Sequence, residues 1–161
     1  MNERITDTHI FFWNGPFSNW YDAEFEYKNH KFENSEQAFM WLKALHYGDD
    51  EIAEKILNTP DPRKNKALGR EIKGFIEEDW TLHSLGYMID VNIAKFSQNP
   101  DLKEHLKNSG DKIIVEASPY DKVWGIGLHQ DDDRVLDESQ WDGENKLGIT
   151  LMTVRTKLKN K

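Results

Sequence analysis

Glu36 and Lys43 are the two residues whose types and spacing could most directly do chemistry. Seven positions is about two helical turns, so on a helix both side chains project from one face, across the largely apolar run Ala38-Phe39-Met40-Trp41-Leu42. Both charges are then carried toward an interior. A carboxylate held there can stabilise an oxocarbenium-like transition state or activate water. A desolvated lysine with a lowered pKa can attack an anomeric carbon and give a Schiff base after ring opening. Neither role requires a metal. The same spacing also fits a plainer arrangement: a Glu placed by the helix dipole, and a Lys whose stem covers apolar surface while its ammonium reaches water.

A second constellation is Glu116-Ala117-Ser118-Pro119-Tyr120-Asp121-Lys122-Val123-Trp124-Gly125-Ile126-Gly127. An acid, an indole and two glycines after a strand can form a cleft wall, with backbone close to a ligand and Trp124 stacked on a base; they can equally form a tight loop around a buried Trp124. Gly125 and Gly127 are no dinucleotide fingerprint, because Gln130 stands where a third glycine is needed. A third, Gly143-Glu144-Asn145-Lys146-Leu147-Gly148, could aim helix N-terminal N–H groups at a phosphate or be a simple helix start. The six histidines show no His-Glu-x-x-His spacing, and Asp131-Asp132-Asp133 lacks the glycine and distal Glu of an EF-hand, so no dedicated metal site is expected. Ser35 and Ser118 lack the setting of a nucleophile elbow.

The elements that must position these groups read as a mostly helical α+β chain. His9 to Trp13 is a short strand ending at Asn14-Gly15-Pro16, and Phe17 to Tyr21 is an aromatic loop. Phe25, Tyr27, Lys31 and Phe32 alternate as a hairpin turning near Asn29. A helix capped by Asn34 or Ser35 follows, apolar all round and so buried. Asp49 to Leu57 is a second helix, and Pro62 opens a third running toward Gly69-Arg70. Phe75 to Phe96 holds a long helix with Leu82, Leu85, Met88, Ile89 and Ile93 as its expected inner stripe. A helix from Asn99-Pro100 stops near Gly110, Lys112 to Glu116 is a strand, and a last helix begins near Glu144 with Leu147, Leu151, Met152 and Val154 to Leu158 on its buried side. The acidic stretch His129 to Gly143 is expected to be an exposed loop. No repeat, low-complexity tract or linker is seen, so one domain over 1–161 is expected.

Composition agrees. Eight Phe, six Trp and five Tyr in 161 residues are too many for a disordered chain, although 31% of residues are charged. The absence of cysteine removes disulfides, Cys zinc sites, iron–sulfur clusters and thiol nucleophiles together. No apolar run approaches the roughly 20 residues needed to cross a bilayer, and the first dozen residues have no leader pattern, so a cytoplasmic location without membrane partners is expected. A net charge of −8 opposes non-specific nucleic-acid binding but tolerates one small anion in a basic pocket.

Phe17-Ser18-Asn19-Trp20, Asn34-Ser35-Glu36-Gln37-Ala38-Phe39 with Lys43, Gly69-Arg70, Trp80 with Met88, Lys95-Phe96, the Glu116 to Gly127 segment, and Asn145-Lys146-Leu147-Gly148 with Leu151-Met152 and Arg155 follow one another in an order that resembles the NADAR (YbiA-like) family. The resemblance runs from about Phe11 to Leu158. It implies a YbiA-like α+β fold, mostly helical with short hairpins and a small sheet. It also implies a cofactor-free hydrolase of N-glycosidic bonds, acting on ADP-ribose attached to guanine or on phosphoribosylamino intermediates of riboflavin synthesis. By position it makes Glu36 and Lys43 the catalytic carboxylate and lysine, with Asn19, Arg70, Asp121, Trp124, Gly125 and Asn145 lining a ribose-phosphate pocket. Two departures bear on substrate choice: the loop from Gly127 to Asn145 is long, and Ser84 stands where a basic residue is common. A binding module for ADP-ribose or NAD that does not hydrolyse it is the alternative.

Overall fold

The structure is a computed structural model describing residues 2–160. Its elements run β1 (Arg4–Ile5), β2 (His9–Phe12), β3 (Phe25–Tyr27), β4 (His30–Phe32), α1 (Ser35–His46), α2 (Asp50–Leu57), α3 (Pro62–Arg70), α4 (Glu77–Gln98), α5 (Pro100–Asn108), β5 (Ile113–Glu116) and α6 (Lys146–Lys159). They gather into two compact units, a helical one over Asn19–Asn99 and a sheet unit made of the residues up to Ser18 and those from Pro100 onward. The α+β class expected from the sequence holds.

In the helical unit, Lys28 and Asn29 take left-handed backbone at φ 49° and 67°, the geometry of a two-residue hairpin loop whose twist matches its strands. The resulting register pairs Phe25 with Phe32, and both rings are buried. The chain then enters α1 through Asn34, whose side chain accepts from the Gln37 N–H. Gln37 reaches both ways: its carbonyl accepts from Glu33 N, and its amide donates to the Ile56 and Thr59 carbonyls at the end of α2. This ties the start of α1 to the end of its neighbour. Asp49 and Asp61 cap α2 and α3, and Pro62 occupies the first turn of α3.

Helix α4 departs from the expected stripe. Leu82 is 81% exposed, and Leu85, Ile89 and Ile93 are half-buried, whereas the buried line is Ser84, Met88, Val91, Asn92 and Lys95. Apolar periodicity misplaces the inner face because that face carries three polar side chains.

The sheet unit has strand order β1-β2-β5, with β1 antiparallel and β5 parallel to β2. Phe11, Phe12, Ile114 and Val115 are buried in its core. Helix α6 lies on β5, and Gly148 permits the approach: a Cβ there would sit 2.0 Å from the Ile114 carbonyl oxygen. The helix starts at Lys146, two residues later than expected, because Asn145 at φ 52° is left-handed and cannot belong to it. The acidic segment is less free than its composition suggests. It forms two short 3₁₀ turns capped by Asp132 and Asp137; Val135 enters the core beside Phe11, Val115 and Ile126, and the Trp141 indole donates to the Val135 carbonyl. Among the described residues, no helix is long and apolar enough to cross a membrane.

Candidate active site

Helix α1 carries Glu36 in its first turn and Lys43 near its end, and the surrounding residues from Ser35 to Leu42 are buried. Glu36 is 8% exposed. Its N–H donates to the Asn19 carbonyl at 3.0 Å, which fastens the aromatic loop to the helix start. The Lys43 ammonium is half-buried, donates to the Gly69 carbonyl at 3.0 Å and lies 4.5 Å from the Phe75 ring centroid and 5.9 Å from that of Trp80. Burial pushes its pKa below the ordinary lysine value; the Glu36 charge opposes that shift, and the Arg70 charge adds to it. Glu36, Lys43 and Arg70 therefore share one electrostatic environment. Gly69 sets the distance between α3 and α1, since a Cβ there would fall 2.2 Å from the Met40 sulfur.

A further amine sits on the polar face of α4. Lys95 is fully buried and its pKa is pulled down to about 7 by desolvation. Its Nζ lies 5.9 Å from the Tyr21 ring centroid and 5.0 Å from that of Phe96. One turn before it, the Asn92 amide donates to the Met88 carbonyl, and the Asn19 amide approaches the Met88 sulfur at 3.5 Å. The loop of Asn19 and Tyr21 thus packs on the Met88-Asn92-Lys95 line. Asn19 Oδ1, Asn92 Oδ1 and Ser35 Oγ are buried without a hydrogen-bond partner among the described residues, and such atoms are uncommon unless something else meets them. Lys95 entered the sequence reading only as part of a family motif. The pattern that could have singled it out is its place eleven residues after Ser84, seven after Met88 and three after Asn92, on one helical face. A surface groove of about 540 Å³ lined by Glu54, Asn58, Thr59, Lys64 and Leu68 contains none of these residues.

In the sheet unit, the remaining candidates cluster where β5 ends. Asp121 accepts from the N–H groups of Val123 and Trp124 at 2.9 and 2.8 Å and so shapes the turn that presents the half-buried Trp124. A Cβ on Gly125 would lie 2.9 Å from both the Asp121 carbonyl and a Glu116 carboxylate oxygen, so only glycine fits there without displacement. Asn145 is committed to structure: its Oδ1 accepts from Glu116 N and its Nδ2 donates to the Ile114 carbonyl, extending the edge of β5 like a paired strand residue. The helix start is not free for phosphate either. The N–H groups of Glu144, Asn145, Lys146 and Leu147 donate to the carbonyls of Lys122, Gly125, Val123 and Trp124, which takes most of the donors that an anion would use. Of the predicted residues, then, Glu36, Lys43, Arg70 and Asn19 fall in the helical unit, and Asp121, Trp124, Gly125 and Asn145 in the sheet unit.

The chain is similar to known proteins in sequence and in fold. N-glycosidase R617 of Acanthamoeba polyphaga mimivirus is 39% identical over 163 residues, covering 93% of this chain and 96% of the viral protein. Protein irg-1 of Caenorhabditis elegans is 45% identical over 139 residues, 85% of this chain and 66% of the nematode protein. The NMR structure of the E. coli protein YbiA superposes with a TM-score of 0.79 over 99% of this chain and 90% of that one; at 24% identity this establishes the fold. The NADAR domain description matches residues 11–159, across both units, and the chain belongs to the NADAR domain family.

Proposed function

We propose that the chain cleaves the N-glycosidic bond of an ADP-ribosyl or phosphoribosyl substrate, releasing ADP-ribose from modified guanine or splitting a phosphoribosylamino intermediate of riboflavin synthesis. Hydrolysis of N-glycosyl bonds in general is supported by family membership and by relatives named N-glycosidases. One structural observation carries the chemistry: a buried carboxylate and a partly desolvated amine lie on one face of α1, and the carboxylate charge acts on the amine.

In the proposed reaction, the C1′–N bond breaks as positive charge develops on the ribose ring. The electron pair leaves with the base, which takes a proton. Glu36 stabilises the oxocarbenium-like centre and orients the attacking group. Its burial strengthens that electrostatic effect. Lys43, with its pKa lowered, presents a neutral amine more readily than an exposed lysine; its Nζ bonds to C1′, the ring opens to a Schiff base, and water returns the free sugar. Arg70, beside Lys43, suits the substrate phosphate, and Asn19 Oδ1 suits a ribose hydroxyl. In the sheet unit, Asp121 holds the turn that presents Trp124, and Asn145 ties that turn to β5.

The test offers the purified chain an ADP-ribosylated guanine oligonucleotide, free NAD and a phosphoribosylaminopyrimidine in parallel and measures released base. Release from one of the ribosyl substrates is expected, and it should disappear in Glu36→Gln and Lys43→Met while the circular dichroism is unchanged. Activity persisting in both variants would remove the proposed chemistry. Binding of these compounds with no base released on long incubation would reassign the chain as a binding module. Borohydride trapping with peptide mapping reads the nucleophile separately: an adduct on Lys43 is expected, and one on Lys95 would move the nucleophile to α4.

A further inference from the structure

We propose that His46, Asp79 and His83 form a binding site for one zinc-class divalent transition-metal ion, independent of the glycosidic chemistry. His46 is the last residue of α1, while Asp79 and His83 stand four apart on the first turns of α4, so two helices converge on the site. One ligand atom from each of the three lies within 4.8 Å of the others. A tetrahedral zinc ion with bonds of about 2.1 Å holds its ligands roughly 3.4 Å apart. His46 Nε2 and Asp79 Oδ2 are now 2.7 Å apart, and His83 Nδ1 is 3.3 Å from Asp79 Oδ1. His83 Nδ1 now donates to the Asp79 backbone carbonyl at 2.9 Å, so a metal would take the place of that bond and its proton, and the His83 side chain, 48% exposed, has room to turn toward it.

The outer partners suit a metal as well as they suit the hydrogen-bonded pair. His46 Nδ1 lies 2.7 Å from the Tyr87 hydroxyl. A hydroxyl both donates and accepts, so it supports the tautomer that gives its Nε2 proton to Asp79 and also the one that frees Nε2 for a metal. Asp79 is anchored in turn by the Tyr47 hydroxyl at 3.0 Å. Ligands oriented in this way by hydrogen bonds are characteristic of metal centres. Charge is also suitable: Glu77 and Glu78, beside the ligand Asp79, offset the positive N-terminus of α4. Two imidazoles with one carboxylate select a borderline ion over magnesium or calcium, which need more oxygen ligands, and three protein ligands leave a coordination position for water. Spacing within a single segment does not reveal the site, because His46 comes from a different helix.

Calorimetry of the full chain, freed of metal with a chelator and titrated with zinc chloride, tests this. One equivalent is expected, with a dissociation constant in the micromolar range or tighter. His83→Ala, at an exposed position where folding is not at stake, should weaken binding at least about tenfold, and Tyr87→Phe should weaken it by a comparable factor. His30→Ala, at an exposed histidine elsewhere, should leave it unchanged. Cobalt(II) should give the visible bands of a low-coordinate nitrogen–oxygen site in the parent chain and not in His83→Ala. Absence of saturable zinc binding, or zinc affinity and cobalt spectra that His83→Ala does not alter, would overturn the proposal whatever the enzymatic assay shows.

Discussion

The polar groups of the helical unit and those at the end of β5 in the sheet unit are buried in opposite ways. At the end of β5, Asp121 takes two turn N–H groups, Asn145 pairs with β5 on both sides, and the N–H groups of Glu144 to Leu147 end on loop carbonyls. Around α1 and α4, oxygens of Asn19, Ser35 and Asn92 are left without partners among the described residues, one lysine is half-buried and another is held in the interior. A closed set gains its full hydrogen-bond energy on folding and fixes geometry; an open one costs stability that folding alone does not recover. The first pattern fixes a turn, and the second is the one the proposed reaction draws on.

The largest expected effect breaks the comparison at Glu36. Glu36→Gln keeps the size and most of the hydrogen-bonding capacity of the side chain while removing its charge, so turnover should fall on the order of 10³-fold with a nearly unchanged unfolding midpoint. An equal loss of stability and activity would make Glu36 part of the scaffold. The scaffold end should respond the other way. Gly148→Ala forces a methyl against the Ile114 carbonyl, which as backbone cannot step aside, and should cost about 3 kcal/mol in urea unfolding. Asn145→Ala strands the Glu116 N–H and Ile114 carbonyl and should cost roughly 2–4 kcal/mol.

A smaller effect separates the two lysine environments. Burial moves the Lys95 pKa from 10.5 down to about 7 in the folded chain, while unfolding returns it to its ordinary value. Between those values the unfolded chain binds the proton and the folded chain does not, so stability rises with pH across that window and levels off above it. Urea midpoints compared at pH about 7 and about 10 should show this rise in the parent chain and a reduced one in Lys95→Met. Identical pH slopes would mean that burial does not hold the Lys95 pKa below its ordinary value in the folded chain.

Much of this was legible in the sequence where local chemistry decides the outcome. Asn34 and Asp49 announce helix starts through their side-chain oxygens, Asn29 announces the hairpin, Pro62 opens α3 and Gly110 follows the end of α5. The Glu36–Lys43 face followed from helical period alone. What period could not give was the use of polar side chains inside: the role of Asn145 depends on β5, some 30 residues earlier, and Val135 is buried in a segment whose composition is that of a solvated loop. Long-range pairing leaves no local signature.

Helix α4 shows the cost of assuming that apolar means inward, and a single substitution tests it with the smallest effect of all. Leu82 begins the stripe expected from periodicity, yet it is 81% exposed, while Ser84, Asn92 and Lys95 turn inside. If the helix faces its polar line inward because that line serves a site, Leu82→Gln removes no packing. Both residues are good helix formers, so stability should stay within about 0.5 kcal/mol of the parent value. A loss of about 2 kcal/mol or more would instead mean that Leu82 is buried in solution and that α4 is turned toward its apolar stripe. In that case Asn92 and Lys95 would move away from the interior, and the open region of the helical unit would lose the groups that distinguish it from the closed turn at the end of β5.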